Sequence, residues 1–284
     1  MILEVENLSH IYNQNTPGEV KALTDVNLIF DSKDFVGIVG HTGSGKSTLV
    51  QHLNGLMKPT KGRVVIDGVD IGKDTDQSKK ARQKIGLVFQ YPEHQLFEET
   101  IYKDIAFGPR NQGRTKEEVE KRVYEAMDKV GLDKGLEGKS PFELSGGQRR
   151  RVAIGGVIAM EPDFLILDEP TAGLDPQGRE EVLSYVDRLN QSGTGIIFIS
   201  HSMEDMASHA SRLVVMDHGR VYKTGSVREI FALGDELEDL GLDQPQITRL
   251  MTMLGEKYPD IKKDILTVEE ARQEVERVLG GNNA

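Results

Sequence analysis

The sequence of 284 residues contains no cysteine, which excludes a disulfide framework and any thiolate metal site. This absence fits a reducing compartment. Apolar runs such as 164–167 and 196–199 are far shorter than the roughly 18 residues that a membrane helix requires. We therefore expect that the chain does not span a membrane and that a partner holds it at any membrane where it works. Residues 1–6 alternate as a strand does, so we expect no secretion signal.

Positive charge is also scarce, with 35 Lys and Arg against 46 Asp and Glu and a formal net charge of −11. Binding of nucleic acid depends on a face rich in Lys and Arg. The acidic balance therefore disfavours nucleic acid as a partner. Residues 234–284 alone carry 12 acidic and 6 basic side chains, which predicts a distinct acidic extension over 231–284 behind a main domain over 1–230.

Short apolar runs typical of strands recur along the main domain, and amphipathic helical patterns separate several of them. The strand runs lie at 2–8, 26–30, 35–39, 63–67, 85–89, 164–168, 196–200 and 213–217. Helical spacing of apolar residues marks 117–130 and 178–190. This alternation predicts an α/β core with a largely parallel sheet. The turn at 217–220 and the alternating N-terminus predict antiparallel strands as well.

Residues 40–47, here called the phosphate loop, read Gly-His-Thr-Gly-Ser-Gly-Lys-Ser. They follow an apolar run and precede a helix start, which is the context that a phosphate-binding loop needs rather than that of a merely flexible loop. Glycines let backbone amides turn toward phosphate oxygens, and the helix N-terminus adds positive charge. Lys46 would reach the β- and γ-phosphates, and the Ser47 hydroxyl would ligate Mg²⁺. The predicted ATP-binding residues are Gly40, His41, Thr42, Gly43, Ser44, Gly45, Lys46, Ser47 and Thr48.

Two carboxylates end the apolar run 164–167. Asp168 would hold Mg²⁺, and Glu169 would polarise the attacking water, a role worth about 10²–10⁴-fold in rate. Two acids at a sheet edge with no such role are the alternative. The phosphate loop upstream favours the metal-and-base interpretation.

Residues 144–148, Leu-Ser-Gly-Gly-Gln, here called the signature segment, precede a helical pattern over 149–160. Ser145 and the backbone amides of Gly146 and Gly147 would then form a second anion site at a helix N-terminus. Because the phosphate loop already serves one nucleotide, the second site needs another nucleotide or a nucleotide held by another chain.

With these three segments in this order, residues 1–230 resemble the ATP-binding subunits of ABC transporters. In that family the signature, which here includes Gln148, contacts ATP held by the opposing subunit. The resemblance implies an ABC-type ATPase fold with a helical subdomain at about 91–160. It also implies ATP hydrolysis with Mg²⁺ and a head-to-tail dimer that buries two ATP molecules.

The resemblance assigns further roles to single residues. Tyr12 matches the aromatic residue that stacks on adenine, although lone aromatics are more often core residues. Gln90 matches the glutamine that senses the γ-phosphate and Mg²⁺, Asp175 matches the loop that couples the two subunits, and His201 matches the switch histidine. The implied catalytic residues are Glu169, His201, Gln90 and Lys46, and the implied metal ligands are Ser47, Gln90 and Asp168.

The stretches 89–111, 140–143 and 201–205 resemble the energy-coupling factor branch of this family, most closely the second ATPase subunit of its shared modules. That branch powers uptake of vitamins and other micronutrients. The implied partners are a second ATPase, a transmembrane coupling subunit and a substrate-binding membrane subunit, with the chain peripheral at the cytoplasmic face of the cell membrane. Whether the ATPase dimer pairs two copies or two related subunits stays open.

An apolar and aromatic stretch over 90–107 follows the proposed γ-phosphate sensor. It either forms a docking surface for a membrane partner or fills a core between subdomains, and we expect docking. The residues concerned are Tyr91, Leu96, Phe97, Ile101, Tyr102 and Phe107.

The acidic extension contains two amphipathic helix patterns followed by an end, 280–284, that we expect to fray. One starts near Asp243, and the other opens at Thr267 with Glu270 at capping-box spacing. Their apolar stripes pack either on this chain or on a partner, and in the related branch such extensions help the ATPases associate. The stripes are Ile247, Leu250, Met251 and Leu254, and Val268, Ala271, Val275, Val278 and Leu279.

Other functions fit less well. The ATPase of a conventional ABC importer is the nearest alternative. An ABC ATPase acting on DNA or ribosomes would carry either long coiled-coil insertions or two such domains in one chain, and neither pattern is found here. A kinase with a phosphate loop would lack the signature segment and the switch histidine.

Overall fold

The structure, a computed structural model, describes residues 1–279. Its strands are β1 (Ile2–Tyr12), β2 (Val20–Asp31), β3 (Phe35–Val39), β4 (Lys61–Ile66), β5 (Val69–Asp70), β6 (Ile85–Val88), β7 (Phe164–Asp168), β8 (Gly195–Ile199), β9 (Arg212–Asp217) and β10 (Arg220–Ser226). Its helices are α1 (Lys46–Leu53), α2 (Asp76–Arg82), α3 (Ile101–Asn111), α4 (Lys116–Lys129), α5 (Gly146–Ile158), α6 (Pro176–Gln191), α7 (Met203–His209), α8 (Val227–Phe231), α9 (Asp235–Asp239), α10 (Gln246–Lys257) and α11 (Val268–Leu279).

These strands form two sheets. A six-stranded sheet has the order β10-β9-β3-β8-β7-β6, in which only β10 is antiparallel to its neighbour. A four-stranded antiparallel sheet has the order β2-β1-β4-β5. The predicted α/β fold with a largely parallel sheet and antiparallel elements is therefore confirmed.

The central strands are apolar throughout because the six-stranded sheet is covered on both faces. Along β7, Leu165 and Leu167 enter one core cluster together with the helices α3 to α8, whereas Phe164 and Ile166 enter a second cluster under the antiparallel sheet. Successive side chains of a strand point to opposite faces. A run with no polar positions is thus the sequence signal of a strand buried on both sides.

Helix α3 was not predicted from its apolar pattern. It begins at the N-cap Thr100, whose side chain accepts a hydrogen bond from the backbone N–H of Lys103, but it contains Pro109. Proline inside a helix removes a backbone donor and normally ends the pattern. Burial of Ile101 and Ile105 at 0% exposure stabilises the helix in spite of that proline.

Arg150 of helix α5 is 3% exposed and forms hydrogen bonds from this helix to other parts of the chain. Its guanidinium donates two hydrogen bonds to Glu93, at 2.8 and 2.9 Å, and two more to the carbonyls of Pro170 and Ala172. Burial alone would raise the pKa of Glu93, but the hydrogen bonds from Arg150 hold it below its ordinary value. One side chain therefore connects the helix after the signature segment to the loop after β7.

The acidic extension departs from its prediction at both helices. Helix α10 begins at Gln246 instead of near Asp243, because Pro245 disfavours helical backbone in the residue before it. At Thr267 only half of a capping box forms: its hydroxyl accepts from the N–H of Glu270, whose carboxylate accepts from Leu266 instead.

The apolar stripes of α10 and α11 pack mainly against one another. Met251 and Ala271 are buried there with Ile261 and Ile265, and Val275 and Val278 are partly buried. Leu250 and Val268, which were assigned to these stripes, are instead 49% and 73% exposed and are not part of this cluster. The side chain of Leu279 and the frayed end expected at 280–284 lie outside the described residues.

Leu237 and Leu242 still belong to the core cluster that contains α3 to α8, so the boundary proposed at 230/231 stays a prediction. No helix within residues 1–279 combines the length and the apolar character needed to cross a bilayer.

Glu93→Ala is expected to destabilise the protein by about 3–5 kcal/mol, because it leaves the buried guanidinium of Arg150 without its counter-ion. Urea unfolding measures the change. Glu6→Ala is the matched control, since Glu6 pairs with Arg63 at the surface, where such a pair contributes about 0–1 kcal/mol. Equal losses of stability in the two variants would show that the buried pair contributes no more to stability than the surface pair.

Candidate nucleotide site

Four neighbouring parallel strands bring the predicted site residues to one edge of the sheet. The phosphate loop follows β3, and Gln90, Glu169 and His201 follow β6, β7 and β8, with Asp168 as the last residue of β7. The pairings β6–β7, β7–β8 and β8–β3 are all parallel. The carboxyl ends of these strands therefore meet, which is where ligands bind in open α/β sheets.

A cavity of about 290 Å³ lies at this edge. Its lining consists of Tyr12, Val20, Lys21, Ala22, Thr42, Gly43, Gly45, Lys46, Ser47, Thr48, Asp168, Glu169 and His201. Larger cavities occur elsewhere, such as one of about 570 Å³ lined by Leu183, Asp187 and His209. Chemistry, not size, identifies the site.

The backbone of the phosphate loop is shaped by glycines. Gly43 and Gly45 have φ of 84° and 102°, a region that L-residues rarely adopt. A Cβ at Gly43 would meet nothing within 4 Å, so the chain leaves open space on that side of the loop. Gly45 is the N-cap of α1, whose first-turn amides favour an anion. The cradle therefore fits a phosphate group.

Lys46 is 7% exposed, and its ammonium donates to the carbonyls of Gly40 and His41 at 2.6 and 3.0 Å and to the Ser44 hydroxyl at 3.4 Å. Burial lowers its pKa, while the charges of Glu169 and Asp168 act in the opposite direction. Gly40, His41 and Ser44 are not among the residues that line the cavity, and their part in ATP binding stays a prediction.

The predicted metal ligands, Ser47, Asp168 and Gln90, all offer oxygen atoms, which Mg²⁺ prefers as ligands. Burial and the charge of Glu169 raise the pKa of Asp168, while Lys46 and a hydrogen bond from Ser47 lower it. A hard cation bound at Asp168 would offset the unfavourable free energy of burying its charged carboxylate. The Gln90 amide donates through its nitrogen to Glu169, which leaves its oxygen for a cation. These residues fit Mg²⁺.

Glu169 is held from two sides. Its Oε2 accepts a hydrogen bond from Gln90 Nε2 at 2.7 Å, and its Oε1 lies 2.9 Å from His201 Nε2. Its backbone has a φ of 50°, a left-handed conformation that costs energy for any residue other than glycine. Its N–H still donates to Ile199 O on β8 at 3.0 Å. The sheet thus fixes where this carboxylate points.

Tyr12 is supported by two histidines that sequence analysis did not identify. Its ring packs edge-on to His10 at 4.6 Å, and its hydroxyl lies 3.3 Å from the Thr48 hydroxyl. His10 Nδ1 contacts the buried His52 Nε2 at 3.2 Å, and burial lowers the pKa of His52. Alternation along β1 could have placed His10 and Tyr12 on one face. Val20, Lys21 and Ala22 line the cavity with no recognisable sequence signal.

The signature segment and Asp175 do not line this cavity. Ser145 is the N-cap of α5 in a full capping box with Gln148, and Ser145 and Gly146 are exposed. A Cβ at Gly146 or Gly147 would meet nothing within 4 Å, so packing within the chain does not require glycine there. Asp175 caps α6 by accepting from the N–H of Gly178 at 2.8 Å.

The aromatic stretch over 90–107 is divided between core and surface. Leu96 and Ile101 are buried, whereas Phe97 and Phe107 are 60% and 44% exposed. The two phenylalanine rings meet edge to face at 4.9 Å and line a groove of about 340 Å³ that continues along α5. Burial of this stretch is therefore incomplete, and docking of a membrane partner at its exposed part stays a prediction.

Comparison with known sequences gives full-length similarity. The sequence pattern of the family described as ABC transporter matches residues 23–172. The chain is 53% identical over 282 residues to the energy-coupling factor transporter ATP-binding protein EcfA2 of Caldanaerobacter subterraneus subsp. tengcongensis, covering 99% of each chain. It is 54% identical to the protein of the same name from Clostridioides difficile, again covering 99% of each.

Solved structures agree with the fold. The cbiO1 protein of Clostridium perfringens, described as part of the ABC transporter complex cbiONQ, superposes with a TM-score of 0.73 at 38% identity, covering 88% of this chain and 98% of that one. A dimeric ATP-binding cassette in a post-hydrolysis state, bound to ADP and Pi, superposes with a TM-score of 0.71 at 29% identity, covering 79% and 98%.

Proposed function

Because the chain belongs to the ABC transporter family, in its energy-coupling factor branch, and is an ATP-hydrolysing subunit of an importer of that type, we propose how its residues divide the work. Membership of this branch also means that it associates with the other subunits of such a module, including a second ATPase, at a membrane. The proposal concerns which side chains bind, cleave and transmit.

The phosphate loop binds the triphosphate of ATP through the amides around Gly43 and the ammonium of Lys46, and Tyr12 stacks on the adenine. Ser47, Asp168 and Gln90 hold Mg²⁺, which would neutralise charge on the β- and γ-phosphate oxygens. The observed contacts of Lys46 keep its ammonium at the centre of the loop. Because Lys46 is buried, its charge acts through a low dielectric, where its attraction to a phosphate is stronger than in water.

Glu169 is the general base, and its two-sided hold is the observation that carries this proposal. A base must be oriented toward the water it polarises. Gln90 and His201 reach opposite oxygens of the carboxylate and so fix its plane. Gln90 also belongs to the metal site, and His201 contacts the γ-phosphate, so both can report the state of the nucleotide to Glu169.

The signature segment acts on ATP held by another ATPase subunit. Its Ser145 and Gly146 are exposed, it opens a helix N-terminus, and its glycines are not required by packing within the chain. Small residues at an exposed helix N-terminus allow a phosphate to come close. The dimer is therefore head-to-tail with two ATP molecules at its interface, pairing this chain with a related subunit. Asp175, at the start of α6, couples the two halves.

The groove between Phe97 and Phe107 receives a transmembrane coupling subunit, which works with a substrate-binding membrane subunit to import a vitamin or other micronutrient. The groove lies beyond Gln90 in the chain, so closure around the nucleotide can be transmitted to it. This arrangement places the chain at the cytoplasmic face of the membrane. The runner-up, the ATPase of a conventional importer, would instead co-purify with an extracytoplasmic binding protein.

Glu169→Gln is expected to bind ATP normally and to lose about 10²–10⁴-fold in turnover, because the water loses its base. Phosphate release and equilibrium binding of a fluorescent ATP analogue measure the two effects. Lys46→Ala is the contrasting variant: loss of its charged hydrogen bonds should weaken binding about ten- to a hundredfold. Near-normal phosphate release by Glu169→Gln would assign the base elsewhere, with His201 next.

Replacing Phe97 and Phe107 by serine is expected to weaken assembly with the membrane partners about thirtyfold, since truncating an aromatic anchor at an interface costs about 2 kcal/mol or more. Basal ATP hydrolysis by the dimer with the second ATPase subunit should not change. Ile29→Ser is the matched control, because Ile29 is 57% exposed on β2, away from the groove. Co-purification from native membranes measures assembly, and equal yields for all variants would contradict docking at this groove.

For the acidic extension, Leu250→Asp combined with Met253→Asp is expected to weaken association with the second ATPase while leaving the free energy of unfolding unchanged. Both side chains are exposed, at 49% and 63%. Met251→Ala, at a position with 0% exposure, should instead destabilise the chain by about 2–5 kcal/mol. Sedimentation with the partner and urea unfolding separate the two effects. Unchanged association in the double variant would restrict the extension to a surface role.

A further inference from the structure

Three side chains able to ligate a metal meet where the tip of the β9–β10 hairpin touches the phosphate loop. They are His41, Asp217 and His218, and their ligand atoms all lie within 4.8 Å of one another. His41 Nε2 is 3.0 Å from Asp217 Oδ1, and His218 Nε2 is 3.7 Å from the same oxygen. The imidazole of His41 and the side chains of Asp217 and His218 have no role in the hydrolytic chemistry described above.

The hydrogen bond on the other side of the His41 ring constrains its chemistry. Nδ1 lies 2.9 Å from the carbonyl oxygen of Thr42, and a carbonyl only accepts, so Nδ1 carries the proton. A neutral imidazole would then point the lone pair of Nε2 at a carboxylate oxygen 3.0 Å away, which is repulsive. A cation that both atoms bind would remove this repulsion, as would a second proton on the ring.

The orientation of His41 is the one that metal-binding histidines adopt, with the second ring nitrogen donating to a backbone carbonyl. The spacings also fit. Two ligands about 2.0–2.1 Å from a tetrahedral metal ion lie about 3.4 Å apart. The separations of the two histidine nitrogens from Asp217 Oδ1, 3.0 and 3.7 Å, fall on either side of that value, and all three ligand atoms lie within 4.8 Å of one another. The side chain of His218 is 82% exposed and is free to adjust.

We propose that His41, Asp217 and His218 form a binding site for a transition-metal dication of the Zn²⁺ class, with water as a fourth ligand. Two imidazoles and one carboxylate suit Zn²⁺, Cu²⁺ or Ni²⁺, whereas Mg²⁺ prefers oxygen ligands throughout. The site is therefore chemically distinct from the oxygen-only set of Ser47, Asp168 and Gln90.

The position of the site gives it a consequence for the nucleotide. The hairpin tip already contacts the phosphate loop, because Gly219 N–H donates to Ser44 O at 3.0 Å. The carbonyl of His41 accepts from Lys46. A metal bonded to the His41 ring and to both hairpin residues would fasten the loop to the hairpin and restrain the backbone that holds Lys46. Bound Zn²⁺ is thus an inhibitor of ATP hydrolysis, an effect that rests on the proposed function of the phosphate loop.

Calorimetric titration of Zn²⁺ into the chelator-treated, nucleotide-free full-length protein tests the site directly. Wild type is expected to bind one equivalent, and His218→Asn and Asp217→Asn should each lose about tenfold or more in affinity. Asparagine suits position 218 because it tolerates the left-handed backbone there, φ 44°. His94→Asn is the matched control, since His94 is also exposed but lies outside the cluster. Equal affinity in all four proteins, or no stoichiometric binding by wild type, would overturn the proposal and leave an imidazolium–carboxylate pair.

Phosphate release at saturating Mg²⁺ and ATP, measured for each protein assembled with the second ATPase subunit, tests the regulatory step. Zn²⁺ is expected to inhibit wild type and His94→Asn and to inhibit His218→Asn at least tenfold less potently. Equal inhibition of all three would mean that Zn²⁺ acts by displacing Mg²⁺ at the nucleotide, and it would overturn regulation through this cluster. Absence of ATP hydrolysis in every protein would contradict the proposed function while the calorimetric result still decides the metal site.

Discussion

In the six-stranded sheet, hydrogen bonds hold β6, β7, β8 and β3 side by side in parallel, so the residues that follow these strands emerge at one edge. The position of the proposed base and of its two partners depends on that arrangement. Gln90 and His201 are far from Glu169 in sequence, yet the strand spacing brings both within hydrogen-bonding distance of its carboxylate. The cost of the left-handed backbone at Glu169 is offset by a sheet buried on both faces.

A second network connects the edge of the sheet to the surface that we propose meets another subunit. Arg150 lies on the helix that the signature segment opens, and its guanidinium contacts Glu93 and the carbonyls of the loop after β7. That loop leads to Asp175 and α6. A displacement of the signature helix by a partner's nucleotide would therefore reach the strand end that carries the base. Buried, bidentate contacts transmit such a displacement because they leave little room to adjust.

The chain on its own presents half of each site in the proposed dimer. Its cavity is bounded by the phosphate loop and the acids at the strand ends, while its signature segment faces solvent with glycines that nothing in the chain requires. The acidic extension has a small core of its own around Met251 and still leaves Leu250, Met253 and Val268 exposed. The buried side chains stabilise the extension, and different, exposed side chains of the same helices are the ones through which we propose that it associates.

The sequence alone determined the features whose signal is contiguous. Three such features consist of a few adjacent residues each: the phosphate loop, the acid pair after 164–167 and the signature segment. The central strands are also recognisable from the sequence, because burial on both faces makes their positions apolar. Helix α3 was not predicted because Pro109 interrupts its pattern. Helix α10 starts later than predicted because of Pro245. Stripe residues were assigned by spacing, which does not say where the neighbouring helix lies, so it could not separate the buried Met251 and Ala271 from the exposed Leu250 and Val268. Only the tertiary structure decided which distant groups meet: Gln90 and His201 on the two oxygens of Glu169, His10 against Tyr12, and His41 beside Asp217, 176 positions away. Contacts of this kind are set by the order of strands in a sheet, and strand order is a property of the whole chain rather than of any segment in it.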